Sequence, residues 1–294
     1  MKIKPIIIFL LIGTLVACTA ESSNEKEDIS SLIDSSFIKN NQIPDEDNLK
    51  PQIKEDTLQT GEVNNMVWNG ENGLRIEWDK KGNGPKIELH DVVMVNYEAR
   101  VARGDVYDSN AEIGQPVPLK TGIGQLIEGW EKGLLQLSVG DKGRIMIPSK
   151  LGYGPDGLLG VVPQNADIVV EIEIVSIVTP VELEDGVKVY KYQAVSEGAY
   201  PQKNQTITFD YFTFKTGTKP GLYDNSYEKG TPFSFRFKND NVVDGLHIGF
   251  SQIRANEKAF IYIPSEMAYG SKGLVDLVPP NTDIIFDVRV ESIK

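Results

Sequence analysis

Apolar residues occupy every second position in several stretches of the chain. A period of two with polar residues between is typical of half-buried strands in an antiparallel sheet. The stretches comprise Val93, Val95, Tyr97 and Ala99; Val170, Ile172 and Ile174; Ile207, Phe209 and Tyr211; and Phe286, Val288 and Val290. The pattern therefore predicts a strand-rich protein with at least four such strands.

Two short segments have helical rather than strand spacing. The first contains Leu126, Ile127, Trp130 and Leu134, and the second contains Val242, Val243, Leu246 and Phe250. Apolar residues three and four positions apart lie on one face of a helix. One short helix packed on a curved antiparallel sheet makes an α+β domain, and the chain predicts two of them.

The two halves of the pattern are copies of one module. Tyr-Gly occurs at 153 and 269, a proline at 163 and 279, and Tyr-Asp at 107 and 223, each pair 116 residues apart. An offset shared by so many positions indicates an internal repeat. We place the first copy at 70–178 and the second at 181–294, with Thr179-Pro180 between them.

The N-terminus has a different character. After Lys2 and Lys4, residues 6–17 form an almost wholly apolar run that ends at Cys18. This is the shape of a secretory signal, and it is too short for a transmembrane helix. Small residues before a cysteine resemble the lipobox of bacterial lipoproteins, which implies a signal peptide at 1–17 and lipidation of Cys18. The alternative is a free thiol beside a simple cleavage site.

Composition assigns residues 18–69 to a tether. The whole chain carries a formal charge of −12, and removal of residues 1–17 would make it −14 because two lysines are lost. Residues 19–60 hold ten acidic side chains against four lysines, and such a segment buries too little apolar surface to fold. Acidic residues soon after the cysteine also resemble surface-export signals of Bacteroidetes lipoproteins. The acidity argues against nucleic acid as a partner, and one cysteine excludes an internal disulfide.

The repeated module resembles the FKBP-type peptidyl-prolyl cis/trans isomerases. In the first copy the matching segments are Val95-Asn-Tyr, Val106-Tyr-Asp-Ser, Leu126-Ile-Glu-Gly-Trp-Glu-Lys-Gly, Ile147-Pro-Ser, Leu151-Gly-Tyr-Gly and Val161-Val-Pro. They occur in the order that the family has. The resemblance implies two tandem FKBP-like domains, each with a ligand pocket between helix and sheet.

The resemblance also implies which residues form the first pocket. The catalytic set would be Tyr97, Asp108, Trp130 and Tyr153, with Trp130 as the floor under the proline ring and the Tyr153 hydroxyl donating to a substrate carbonyl. The substrate-binding set would be Tyr107, Val117, Leu126, Ile127, Val161, Val162 and Val170, with the Ile127 amide contacting a second carbonyl. The family's arginine partner of the aspartate falls on Ile113, and its last-strand phenylalanine falls on Val170.

In the second copy the floor tryptophan is replaced by Leu246, and Lys229 stands where the family has its arginine. The equivalent pocket residues would be Tyr211, Tyr223, Asp224, Phe233, Val242, Val243, Leu246, Tyr269, Leu277, Val278 and Phe286. We expect weaker catalysis there, or binding without turnover.

These observations lead to one expected function and one alternative. We expect a prolyl isomerase that assists protein folding in the cell envelope, held by a lipid on Cys18 at the periplasmic or the surface face of a membrane, with the outer membrane as the expected one. It would act on proline-containing polypeptides as a monomer, with no cofactor and no metal. The alternative is a proline-segment-binding chaperone or envelope scaffold without catalysis.

Overall fold

The structure, a computed structural model, describes residues 66–294, which belong to one compact unit. The predicted signal peptide, Cys18 and the tether up to residue 65 lie outside the described residues. Within 66–294 no helix combines the length and the apolar character that crossing a bilayer requires.

The first copy is an antiparallel sheet wrapped around one helix. Its strands are β1 Met66–Asn69, β2 Arg75–Lys80, β3 Val92–Val101, β4 Val106–Ser109, β5 Val117–Lys120, β6 Lys142–Ile147 and β7 Ile168–Ile177, and its helix is α1 Glu128–Leu134. The strand order is β1-β2-β6-β7-β3-β4, and β5 also pairs with β3. The predicted alternation is observed: Val93, Val95, Tyr97 and Ala99 of β3 are all buried.

The second copy repeats this arrangement. Its strands are β8 Val181–Glu182, β9 Lys188–Gln193, β10 Thr206–Lys215, β11 Gly221–Asn225, β12 Phe233–Arg236, β13 Lys258–Ile263 and β14 Ile284–Ile293. Its helices are α2 Ser226–Lys229 and α3 Asp244–Phe250. The strand order is β11-β10-β14-β13-β9-β8, and β12 also pairs with β10. The equivalent strand orders show that the two copies share one fold, as the sequence predicts.

Two local details differ from the prediction. The predicted tether extends to residue 69, but Met66–Asn69 pair with β2, and Trp68 packs on the first core. The prediction gives the second copy one helix, and the four-residue α2 is an additional one. The Asn225 side chain accepts a hydrogen bond from the Glu228 amide at the start of α2, and Gly230 ends it with φ 70°. Both are standard helix-end signals.

The strands β10 and β14 depart from simple alternation because both of their faces are covered. Phe212, Phe214 and Ile285 are buried on the side away from the second core. They join one apolar cluster with Val92 and Ile123 of the first copy. The two copies are thus held by a shared hydrophobic contact as well as by the chain that links them.

Candidate functional site

The residues predicted for the first pocket gather between α1 and the first sheet, at a place that we call the first cleft. Burial of their apolar faces places Tyr97 on β3 and Trp130 on α1 with ring centroids 5.2 Å apart, edge to face. Trp130 is only 1% exposed. Tyr107 on β4 and Tyr153, which follows the turn after β6, form a second edge-to-face pair at 6.3 Å. Such pairs add roughly 0.5–1.5 kcal/mol each to area burial, so the walls of this cleft are rigid and aromatic.

The remaining predicted residues of the first copy pack around these rings. Val117, Leu126, Val162 and Val170 belong to the same buried cluster, and Ile127 and Val161 lie against it, half-buried. The Ile127 carbonyl accepts the Trp130 and Glu131 amides at 3.0 and 3.1 Å. We find no hydrogen bond for the Ile127 amide within residues 66–294, which leaves it available to an incoming carbonyl.

Burial shifts the pKa values of the tyrosine hydroxyls and of the aspartate carboxyl group in this cleft. Desolvation raises the pKa of the Tyr97, Tyr107 and Tyr153 hydroxyls, so all three remain protonated donors at neutral pH. It also raises the pKa of Asp108, and the nearby Tyr97 hydroxyl and Ser109 amide only partly offset this. Both Asp108 oxygens are buried, and no well-formed hydrogen bond reaches either of them among the described residues, although the Tyr97 hydroxyl and the Ser109 amide lie close enough to lower the pKa of the carboxyl group.

The second cleft is an open cavity of about 590 Å³ at the equivalent place. Its walls come from the second sheet, from the segment before α3, and from α3 itself. It is lined by Tyr211, Thr213, Tyr223, Asp224, Lys229, Phe233, Asn241, Val242, Val243, Asp244, Leu246, Ala268, Tyr269 and Phe286. The rings of Tyr211 and Phe286 lie 5.9 Å apart, so an aromatic wall is present here also.

A charged network crosses the mouth of the second cleft. The Lys229 ammonium, at the end of α2, donates to Asp224 Oδ2 at 2.6 Å and to the Tyr211 hydroxyl at 2.8 Å. The Tyr211 hydroxyl donates to the same carboxylate at 2.9 Å. Partial burial works against the charge of Lys229, but these hydrogen bonds outweigh it and raise its pKa. The second carboxylate is therefore neutralised by a side chain of its own domain.

Comparison with known proteins decides the family. The family model for "FKBP-type peptidyl-prolyl cis-trans isomerase" matches residues 84–175 and again 198–291, more than half of the chain. The chain belongs to the FKBP family. Its two matched segments fall within the two sheets described above.

Several relatives are similar over different spans. Human "Peptidyl-prolyl cis-trans isomerase FKBP9" is 28% identical over 230 residues, which are 76% of this chain and 39% of that protein. "FK506-binding protein 1" of Candida glabrata is 34% identical over 108 residues, 36% of this chain and 95% of the relative. The crystal structure of the three FKBP domains of wheat FKBP73 aligns at 23% identity with a TM-score of 0.39, covering 76% of this chain and 96% of that one. The chain thus spans well under half the length of FKBP9.

Some residues expected in the second FKBP pocket lie elsewhere. Leu277 and Val278 are not among the residues that line the cavity: Leu277 is exposed, and Val278 packs into the core. Their loop is closed by hydrogen bonds between the backbones of Leu274 and Val278, which turn Val278 inward.

Four lining residues were missed by the sequence analysis: Thr213, Asn241, Asp244 and Ala268. Thr213 was detectable, because it lies two positions after Tyr211 on β10 and so shares its face of the sheet. Asn241 and Asp244 flank the predicted pair Val242 and Val243, which is a weaker signal.

The chemistry available in both clefts is binding and hydrogen bonding. Among residues 66–294 no three His, Cys, Asp or Glu side chains are grouped as metal ligands. The first FKBP cleft offers aromatic faces, protonated tyrosine hydroxyls and a backbone amide. The aromatic faces can pack against a proline ring, and the hydroxyls and the amide can donate hydrogen bonds to the carbonyls on either side of it.

Proposed function

We propose that this FKBP chain is a peptidyl-prolyl cis/trans isomerase that assists protein folding, and that turnover occurs mainly in the first cleft. The observation that carries the proposal is the buried Trp130 floor, with Tyr97 packed against it at 5.2 Å and Tyr153 at the rim. A flat indole presents the largest apolar surface that a side chain can offer to a prolyl ring.

The mechanism follows from the nature of the X-Pro bond. Rotation has a barrier of about 18–20 kcal/mol because amide resonance is lost on the way. A site that binds the twisted amide more tightly than the planar one lowers this barrier without a nucleophile, metal or base. Moving the imide from water into an apolar cleft favours the twisted state, which has lost charge separation. In this proposal the Ile127 amide and the Tyr153 hydroxyl hold the chain on either side of the rotating bond.

The proposed setting is the cell envelope. The basic start, the short apolar run and Cys18 support attachment to the outer membrane by a lipid without a spanning helix. The acidic segment after Cys18 would act as a self-repelling spacer between the lipid and the two FKBP domains. We propose that the protein works there as a monomer on proline-containing polypeptides.

A second candidate function is proline-segment binding without turnover. It is favoured by the second cleft, whose cavity of about 590 Å³ has Leu246 in place of a tryptophan. Two clefts on one chain would raise the avidity for clients with several prolines. A chaperone or scaffold of this kind needs no difference in affinity between planar and twisted amides.

A refolding experiment distinguishes the two functions. Proline-limited refolding takes tens to hundreds of seconds without a catalyst. We expect the full chain, in mild detergent and at a small fraction of the substrate concentration, to accelerate the slow phase of such a reporter protein, followed by fluorescence. A holding chaperone would instead leave the rate unchanged at low ratios and retard refolding at stoichiometric ratios. That outcome would contradict the isomerase and support the alternative.

The anchor has its own test. Cys18→Ser removes the only thiol in the chain, and with it the atom to which a lipid would be attached. We expect the variant to leave the membrane fraction, while the unmodified chain remains there and labels with a radioactive fatty acid. Retention of the variant in membranes would show that the proposed anchor is wrong.

A further inference from the structure

Asp108 is a buried carboxylate that has no cationic partner within its own domain. It is 5% exposed, and neither oxygen has a hydrogen-bond partner within residues 66–294. The titratable groups that face it are the hydroxyls of Tyr97, Tyr107 and Tyr153, and no cation is among them. An unpaired buried charge is costly unless an opposite charge reaches it.

The second copy shows that a cation can bind to the carboxylate at the position equivalent to Asp108. Asp224 is the equivalent of Asp108, and it lines the open cleft. Lys229 reaches it at 2.6 Å from the solvent side, with 54% of the lysine side chain exposed. An ammonium that approaches from outside can therefore contact the carboxylate at this place in the fold.

The first copy has lost that internal cation. Ile113 lies 116 residues before Lys229, at the end of a single helical turn, and packs against the first core. An apolar side chain thus occupies the position from which Lys229 neutralises Asp224. The buried carboxylate of the first copy therefore has no cation from its own domain.

We propose that Asp108 makes the first cleft selective for polypeptides with a cationic side chain, lysine or arginine, next to the proline. The proposal rests on the function proposed above, since it names the substrate class of the same cleft. The second cleft has no such preference, because its own lysine already neutralises Asp224. The two clefts would then divide clients by the charge beside the proline.

The magnitude follows from the kind of contact formed. A hydrogen bond to a charged group is strong enough to give a preference of about tenfold or more. Glutamate beside the proline would be repelled by the same carboxylate. The preference requires an ionised Asp108, so it is lost as the pH falls through the pKa that burial has raised.

The test measures the isomerisation of matched peptides by the full chain, with NMR exchange as the readout. The peptides carry Lys, Leu or Glu on either side of a single proline. We expect kcat/KM for Lys peptides to exceed that for Glu peptides by about tenfold, with Leu between them. Ile113→Lys, which copies the second domain, should bring the ratio of kcat/KM for Lys peptides to that for Glu peptides close to one. Ile113→Met should leave this ratio unchanged.

Two aspartate variants assign the preference to one cleft. Asp108→Asn should bring the Lys to Glu ratio close to one, whatever it does to the absolute rates. Asp224→Asn should leave the ratio as it is. Equal rates for Lys and Glu peptides in the unmodified chain would overturn this inference and leave the isomerase standing.

Loss of the proposed function is distinguishable from loss of selectivity. If no peptide is turned over, the isomerase is refuted, and the shift of the Trp130 indole resonance on titration with each peptide then measures selectivity alone. Equal affinities for Lys and Glu peptides in that titration would overturn the inference, and a preference for Lys would support it.

Discussion

At the scale of single residues, the two clefts differ most in what lies beneath the substrate. Trp130 and Leu246 occupy equivalent positions on α1 and α3, and both are buried. In the first copy the indole of Trp130 lies at the floor of the cleft. In the second copy the smaller Leu246 lines an open cavity. Apolar contact must hold the twisted amide during catalysis. We therefore expect the larger apolar surface of Trp130 to give the first cleft the higher rate of isomerisation.

Exchanging the floor residue tests this directly. Trp130→Leu gives the first cleft the floor of the second and keeps the site apolar. We expect it to lower kcat/KM for an X-Pro peptide by at least about tenfold, a loss of ~1.4 kcal/mol in transition-state binding. Leu246→Ala serves as the control and should change the rate little. An equal loss in both variants would refute the division of labour between the copies.

At the scale of elements, close helix–sheet contact shapes each cleft. A Cβ on Gly129 of α1 would lie 2.4 Å from Ile147 Cγ2, and one on Gly245 of α3 would lie 2.2 Å from Ile263 Cγ2. Only glycine fits at these distances. The same device in both copies lets each helix approach β6 or β13 and sets the depth of the cleft.

We therefore expect Gly129→Ala to destabilise the first domain by roughly 1–3 kcal/mol, the usual cost of overpacking. The measurement is the free energy of unfolding in urea. Gly152→Ala is a matched control, because a Cβ there has only ordinary contacts, at 3.5 Å and beyond, and the second copy has Ala268 at the same place. If both variants unfold at the same urea concentration, close helix packing does not limit stability.

The elements were predictable where burial alone determines the pattern. The alternation in β3, β7, β10 and β14 located these strands because alternate residues of each meet a core, even though β10 and β14 are covered on the second face as well. The short helix α2 gives no period to detect, although Asn225 and Gly230 mark its ends. The strand β1 was missed because its residues are mostly exposed and its pairing depends on β2. The cavity and the contact of Lys229 with Asp224 depend on side-chain conformations across three elements, which spacing does not determine.

At the scale of the whole molecule, an unusual lysine lies where the copies meet. Lys120, at the end of β5, is 0% exposed. Its ammonium donates to the His90 carbonyl and lies 3.9 Å from the centre of the Tyr190 ring in the second copy. Burial lowers its pKa to about 7; the charge of Asp91 opposes this shift, and that of Lys188 adds to it.

This lysine predicts a pH dependence of stability. Between about pH 7 and pH 10.5 the unfolded chain binds the proton of Lys120 and the folded chain does not. The free energy of unfolding should therefore rise with pH across this window, by about 5 kcal/mol at most. Lys120→Met, which keeps the length and removes the amine, should flatten the rise in urea unfolding measured at successive pH values. An identical slope in the variant would show that Lys120 is not the source.

Catalysis of X-Pro rotation, and not binding alone, is what the two FKBP domains are proposed to perform. Two-dimensional NMR exchange on a short Leu-Pro peptide measures this turnover without any coupled step. With a catalytic amount of the unmodified chain, we predict cis/trans exchange cross-peaks within seconds, where the free peptide takes tens to hundreds of seconds. Peptide resonances that shift on binding, with an exchange rate no faster than that of the free peptide, would contradict the claim.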